Sequence, residues 1–356
     1  MKFLTVSNLC KRFGDVKALD GVNFTASRQD IIGVVGPSGA GKSTLLHILS
    51  GTTSATSGEI HLNGKSLLDV DPAKRNIGIV PQEYLLFPHL NVWENVAFGL
   101  KVRGRKPIEI RARVDDLLKE MELGDLSNRK VDELSGGQRQ RVAISRALAF
   151  APDLLLFDEP LAHLEASLRI RLEELLVSLQ SSLNIPFIFV THSQEEAMSM
   201  STKLIVIKEG QVIEQGAPKT IYENPKTVFG AEFLGHSNLS KITSMNQNKV
   251  TTQIGEFELD ARLCSKNSDA KFLMFRAEDV IVSTENPPSS NSSSYVKRGY
   301  VRSCLERGHY NILKIGIIGN TEDNLLTAIV SGKTLYCQKE SVWVSISKAD
   351  TCLLMG

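Results

Sequence analysis

"IIGVVGPSGAGKSTLLHILSG", residues 31–51, runs from five apolar residues through a string of small ones into a helix-forming segment. Its first five residues are continuously apolar rather than alternating, the pattern of a strand covered on both faces. The stretch from Ser43 onward reads as a helix. Between them, Gly36-Pro37-Ser38-Gly39-Ala40-Gly41-Lys42-Ser43-Thr44 fits G-x-x-x-x-G-K-[ST]. Glycines at these places let backbone N–H groups curl around phosphate oxygens, and the positive end of the following helix adds to the attraction. In that arrangement Lys42 reaches the β- and γ-phosphates of a nucleotide and Ser43 ligates Mg2+. The strand before and the helix after separate this loop from an ordinary glycine-rich turn.

Three further continuous apolar runs lie outward of it: "LLLF" (154–157), "FIFV" (187–190) and "LIVI" (204–207). Between the first two, Leu164, Leu168, Leu172, Leu175, Leu179 and Leu183 recur at three- and four-residue spacing, one apolar stripe on a helix. Alternating strands and helices predict an α/β domain over residues 1–236. Residues 83–152 are helical in pattern and rich in charge of both signs, and read as a helical subdomain with a solvated face. After residue 237 the texture changes to short β-like runs, "KFLMF", "YNILKIGII", "LLTAIV" and "SVWVSI", separated by turn residues. Residues 237–356 are therefore predicted to form a small β-barrel or sandwich, with "STENPPSSNSSS" (283–294) as a low-complexity loop.

Composition narrows the classes. The formal net charge is +1, so no global field draws the chain to nucleic acid or anionic membrane. The five cysteines are dispersed, with no C-x-x-C pair, which favours reduced thiols over a disulfide framework or a zinc site. The N-terminal apolar stretch is too short for a signal peptide. No stretch reaches the roughly 18 consecutive apolar residues of a spanning helix. A membrane role would come through partners.

Carboxylates follow the second strand. "DLLLFDEP" (153–160) puts Asp158 at a strand end, where it can hold Mg2+ through water, and Glu159 beside it, where a carboxylate can orient or deprotonate an attacking water. Gln82 follows "IGIV" and His192 follows "FIFVT". Both would emerge at carboxyl ends of strands, where open α/β sheets bind ligands. A second glycine-rich stretch, "LSGGQRQRVAISRAL" (134–148), combines Ser135, Gly136, Gly137 and Gln138 with a helix start, which is a further anion site.

Together these elements resemble the ATPase subunit of ABC transporters, whose signature is "LSGGQ", here Leu134 to Gln138. The resemblance implies ATP and Mg2+ as cofactors. It implies that Gln82 senses the γ-phosphate and Mg2+, that His192 in "THS" contacts the γ-phosphate, and that Phe13 in "KRFGDVKAL" stacks on adenine. It further implies a head-to-tail dimer, in which Ser135, Gly136, Gly137 and Gln138 of one copy grip the ATP held by the loop of another. "PQEYLLFPHLNVWENVAFGL" (81–100) looks like the segment that receives a coupling helix from a membrane subunit, although its aromatics also suit a subdomain core. "MFRAEDV" (274–280) resembles a stretch of the C-terminal TOBE-like barrel of solute-importer ATPases, with Ala277 where proline is usual.

The expected partners are a second copy of the chain, two integral membrane permease subunits and, indirectly, a solute-binding protein. Nucleic acid is not expected. The expected place is the cytoplasmic face of the cell membrane, as a peripheral subunit. The cargo expected from the resemblance is a polyamine or an inorganic ion such as ferric iron, sulfate or molybdate. A rival reading is a soluble ABC ATPase acting on nucleic acid or the ribosome, but those chains usually carry coiled-coil insertions or paired ATPase domains. A third reading, compatible with the first, makes the C-terminal barrel a regulatory module. One departure stands out: Ala162-His163-Leu164-Glu165 replaces the family's S-A-L-D. Either the interface repacks around these residues, or hydrolysis is slower or less tightly coupled.

Overall fold

The computed structural model describes residues 2–355 except 163, 261–263, 265, 266, 268, 287–292, 320–323 and 335. Two compact units divide the chain, residues 1–219 and 220–356.

In the first unit, a six-stranded sheet carries the four strands expected from the apolar runs. They are β3 (Ile31–Val35), β7 (Leu154–Asp158), β8 (Phe187–Val190) and β9 (Lys203–Lys208), joined by β6 (Ile77–Val80) and β10 (Gln211–Gly216). The order is β10-β9-β3-β8-β7-β6, and every pairing but β10–β9 is parallel. The reason for the continuous apolar runs is visible in the packing. Leu155, Phe157, Phe187 and Phe189 face one core, while Leu154, Leu156, Ile188 and Val190 face another. The strands β3, β7, β8 and β9 are buried on both sides, so alternation disappears from them.

The first core is closed by the helical segment: α2 (Val92–Val102), α3 (Pro107–Glu120), α4 (Gly136–Leu148) and α5 (Ala166–Leu183). Local signals set these helices. Asn91 and Glu94 form a reciprocal capping box at the start of α2, and Pro107 opens α3. Helix α5 ends at Asn184 in the left-handed region, φ 50°. Along α5 the buried leucines are Leu172, Leu176 and Leu179, with Leu168 and Leu175 half-buried; Leu164 lies just before the helix. The second core is closed by α1 (Lys42–Ser50) and by an antiparallel sheet of β1 (Leu4–Phe13), β2 (Val16–Ala26), β4 (Ser57–Leu62) and β5 (Lys65–Ser66), in the order β2-β1-β4-β5. That sheet was not expected. Register shifts between Val6, Leu9 and Lys11, and Asn8 at φ 47°, break the alternation that would have revealed it.

Among the described residues of the second unit, two antiparallel five-stranded sheets share one core that includes Phe257, Phe275, Tyr295, Val301 and Val344. "KFLMF", "YNILKIGII", "LLTAIV" and "SVWVSI" all lie on strands of these sheets. This is a small curled β-domain of the expected class. Its division from the first unit falls at 219/220, ahead of the 236/237 expected from composition. Arg276 gives the physical reason. Its buried guanidinium donates to Tyr222 O, to Ala231 O and to Ser237 Oγ, and lies 4.1 Å from the Tyr222 ring, so residues 222–237 are tied to the β-domain. The neighbouring Ala277 also explains its departure from proline: its N–H donates to His236 O at 2.9 Å, a bond proline lacks the hydrogen to make.

Beside Arg276, burial pushes the Asp279 carboxyl up to about 6, with the charges of Asp350 and Glu278 adding to the effect. A carboxyl whose folded pKa lies above its unfolded value of 3.8 costs stability above about 6 and costs nothing below about 3.8. Asp279→Asn should therefore match the parent protein at pH 3.5–4 and exceed it increasingly up to neutral pH, by about 1 kcal/mol after screening. The urea midpoint, followed by Trp343 fluorescence in a Trp93→Phe background, measures this; equal midpoints at pH 7 would contradict it.

Candidate functional site

The parallel register puts the expected site residues on one edge. Asp158 pairs with Val190, Val190 pairs with Val34, and Phe157 pairs with Val80. One or two residues beyond that row come Gly36, Gln82, Glu159 and His192, at the carboxyl ends of β3, β6, β7 and β8.

The phosphate loop is shaped by close approach. A Cβ on Gly36 would lie 2.0 Å from Ile207 O, so the loop can pass β9 only as glycine. Gly41, at φ 104°, is the N-cap of α1, and a Cβ there would meet Ala18 O at 2.3 Å. No side chain caps this helix, which leaves its first-turn N–H groups without intrahelical partners. Pro37, Ser38, Gly39 and Ser43 are exposed, Ala40 is buried, and Thr44 is half-buried. Lys42 Nζ donates to Gly36 O at 2.8 Å and Pro37 O at 2.9 Å, which folds the ammonium across the loop. Burial pushes its pKa down, while Glu159 and Asp158 push it back up.

Three of the expected residues meet at one atom. Gln82 Nε2 donates to Glu159 Oε2 at 3.3 Å, and His192 Nδ1 lies 3.1 Å from the same oxygen. Glu159 adopts φ 47°, a left-handed conformation that costs a non-glycine residue about 1 kcal/mol or more. Its N–H donates to Val190 O at 3.0 Å, so pairing with β8 holds the turn that aims the carboxylate. Asp158 is half-buried, and burial raises its pKa; His47 and Lys42 lower it and Glu159 raises it further. A desolvated carboxylate beside a second carboxylate suits a hard divalent cation. Asp158, Ser43 and Gln82 offer the oxygen ligands that Mg2+ takes.

Two residues missed by sequence reasoning hold this edge together. Arg146, on α4, donates to Leu85 O at 2.7 Å and Tyr84 O at 2.8 Å. Tyr84 and Leu85 stand at φ 61° and 44°, so the guanidinium pins two consecutive left-handed residues just after Gln82. The other is Glu196, buried on α6 (Gln194–Met200), which accepts a 2.6 Å hydrogen bond from Thr191 Oγ1 next to His192. Only an arginine within "ISRAL" and an acidic first turn of a helix marked them in the sequence.

The signature lies on a different element. Ser135 is the exposed N-cap of α4: its Oγ accepts from Gln138 N at 3.4 Å, and Gln138 Oε1 accepts from Ser135 N at 2.9 Å. Gly136 faces Leu164, and a Cβ on Gly137 would lie 2.5 Å from Leu168 Cδ2. The signature thus packs on the segment after Glu159. Among the described residues, no hydrogen bond or ion pair joins Ser135–Gln138 to the phosphate loop. Phe13 ends β1 with 53% of its surface exposed and Lys11 Nζ 4.7 Å from its ring centre, so it is not a core residue. Of the departing segment, Glu165 is exposed as the N-cap of α5, and His163 lies outside the described residues.

Comparison with known proteins gives the family. Residues 19–162 match the ABC transporter family model. A spermidine/putrescine import ATP-binding protein, PotA, of Pseudomonas aeruginosa is 38% identical over 94% of this chain and 93% of its own length. The chain belongs to the ABC transporter ATPase family. A ferric-ion import ATP-binding protein, FbpC, of Fusobacterium nucleatum is 42% identical over 82% of this chain and 79% of its own. Among solved structures, the dimeric ATP-binding cassette MJ0796 bound to ADP and phosphate is 32% identical, with a TM-score of 0.55, over 60% of this chain and 98% of its own. As an ABC ATPase, the chain binds ATP and hydrolyses it.

Proposed function

We propose that this ABC ATPase powers the import of a small solute, a polyamine or ferric ion, from the cytoplasmic face of the membrane. The observation that carries the reading is the convergence of Gln82 and His192 on Glu159 Oε2, beside a loop made for phosphate. The importer class and the two cargo types are supported by the names of relatives similar over most of the chain.

In this reading the loop amides and Lys42 hold the β- and γ-phosphates of ATP. Lys42 exchanges its bonds to Gly36 O and Pro37 O for phosphate oxygens, which offsets the desolvation that depresses its pKa. Ser43, Asp158 and Gln82 are the candidate ligands of Mg2+, which would neutralise charge on the transferred phosphoryl group. Glu159 directs the attacking water. Gln82 and His192 restrain its carboxylate while facing the γ-phosphate position. Catalysis is then mainly positioning and electrostatics. Phe13 supplies an exposed ring for adenine.

Each site is completed by a second copy, whose Ser135–Gln138 helix start caps the same phosphates. The exposed N-cap favours this use: outside the Ser135–Gln138 capping box, the first-turn N–H groups of Gly136 and Gly137 have no intrahelical partner and suit an anion. The docking face for a permease subunit is the segment after Gln82, where Leu85 is 61% exposed and Phe87 packs on the exposed Phe98 at 4.3 Å. Asn95 fixes that segment through bonds with Phe87 N and O.

Two experiments test the reading. Glu159→Gln should bind ATP with near-parental affinity and lose at least about 100-fold in turnover; full turnover would refute the role of Glu159. Gentle solubilisation of native membranes should recover two polytopic membrane proteins with the tagged chain, and Leu85→Asp should release them. Recovery with ribosomes or nucleic acid instead would establish the rival reading.

A further inference from the structure

His192 is held by its neighbours in the chain. Thr191, 1% exposed, donates through Oγ1 to Glu196 Oε2 at 2.6 Å and accepts from Ser193 N at 3.0 Å. Ser193 Oγ in turn accepts from Glu196 N at 3.3 Å, capping α6. Both flanks of His192 are therefore fastened to one residue, Glu196, which is 4% exposed. Its other carboxylate oxygen, Oε1, lies 3.8 Å from Arg169 Nε on α5. The same guanidinium donates through Nη2 to Leu164 O at 3.4 Å. Leu164 follows Glu159 in the chain and packs near Gly136 of the signature.

A buried carboxylate is costly, and an ion pair that meets it often stabilises a fold no more than an apolar pair of the same size would. Stability alone is a weak reason for placing Glu196 and Arg169 here. What the pair does is link two stretches of chain. One is the 191–193 turn, which carries His192. The other is the stretch at Leu164, five residues after Glu159.

We propose that Arg169 and Glu196 are positioning residues for ATP hydrolysis, a brace that sets His192 against Glu159 according to the place of the 162–165 segment. The proposal rests on the hydrolytic roles given above to Glu159 and His192. A partner copy that shifts residues 162–165 would then move His192 through Leu164 O, Arg169, Glu196 and Thr191, with neither brace residue touching substrate.

The test uses the full chain with carbon-13-labelled histidine. The ring signal of His192, identified among seven histidines by its loss in His192→Ala, is read without nucleotide. In Arg169→Ala that signal should move toward its position in Glu159→Ala, where the ring has lost its partner. Turnover should fall about tenfold while the Kd for a fluorescent ATP analogue stays within about twofold. Arg169→Ala combined with Glu196→Gln should be no slower than the slower single variant, because both remove one brace. An unmoved His192 signal overturns the proposal. So do additive losses, or a loss of turnover that follows ATP affinity. If Glu159→Gln hydrolyses ATP normally, the hydrolytic reading fails separately, and the histidine signal still reports whether the brace exists.

Discussion

A single carboxylate oxygen, Glu159 Oε2, accepts from Gln82 Nε2 and lies against His192 Nδ1, and much of the first unit is arranged so that it can. The three residues come from three strands separated by long stretches of chain. They meet because β6, β7 and β8 are parallel and in register to within a residue or two. That register is fixed by burial on both faces: slipping a strand by one residue would exchange the side chains facing the two cores. The same register brings β3, and with it the phosphate loop, into the row. Cores that contain no catalytic atom thus set distances of about 3 Å at the sheet edge.

The supports around that oxygen are polar and local. Glu159 is held in a left-handed turn by its hydrogen bond to Val190, and Tyr84 and Leu85 are held in theirs by Arg146. Strain of this kind persists only where neighbours over-determine it. Arg146 sits on α4, the helix that begins at the signature, so the Gln82 segment and the signature share one rigid element. Arg169 and Glu196 give the His192 turn a comparable tie to the 162–165 segment. The strand-end residues, the signature and the segment after Gln82 are linked through these few guanidinium contacts.

Much of this was legible in the sequence because it is written locally. Four continuous apolar runs fell on four parallel strands, and the loop between Val35 and Lys42 carries its own glycines. Gln82, Glu159 and His192 were found as strand-end residues and by family resemblance. The contacts that hold them were not found. Arg146 bonds to carbonyls about sixty positions away, and Glu196 looks like any acidic residue in a first helical turn. The antiparallel sheet was hidden by bulges, and the exposure of Phe13 could not be read from its place at a strand end. A similar long-range contact bears on the extent of the β-domain: Arg276 reaches back to Tyr222 across the change of composition near residue 237.

Within one chain the phosphate loop and the signature sit on separate elements, so hydrolysis as proposed needs the signature of a second copy. The mass of Glu159→Gln in solution with and without Mg·ATP tests this directly, because that variant is expected to hold ATP without consuming it. The predicted result is a shift from the 39.2 kDa chain to twice that mass, with one ATP retained per chain. A chain that binds ATP fully and remains at the single-chain mass would contradict the account.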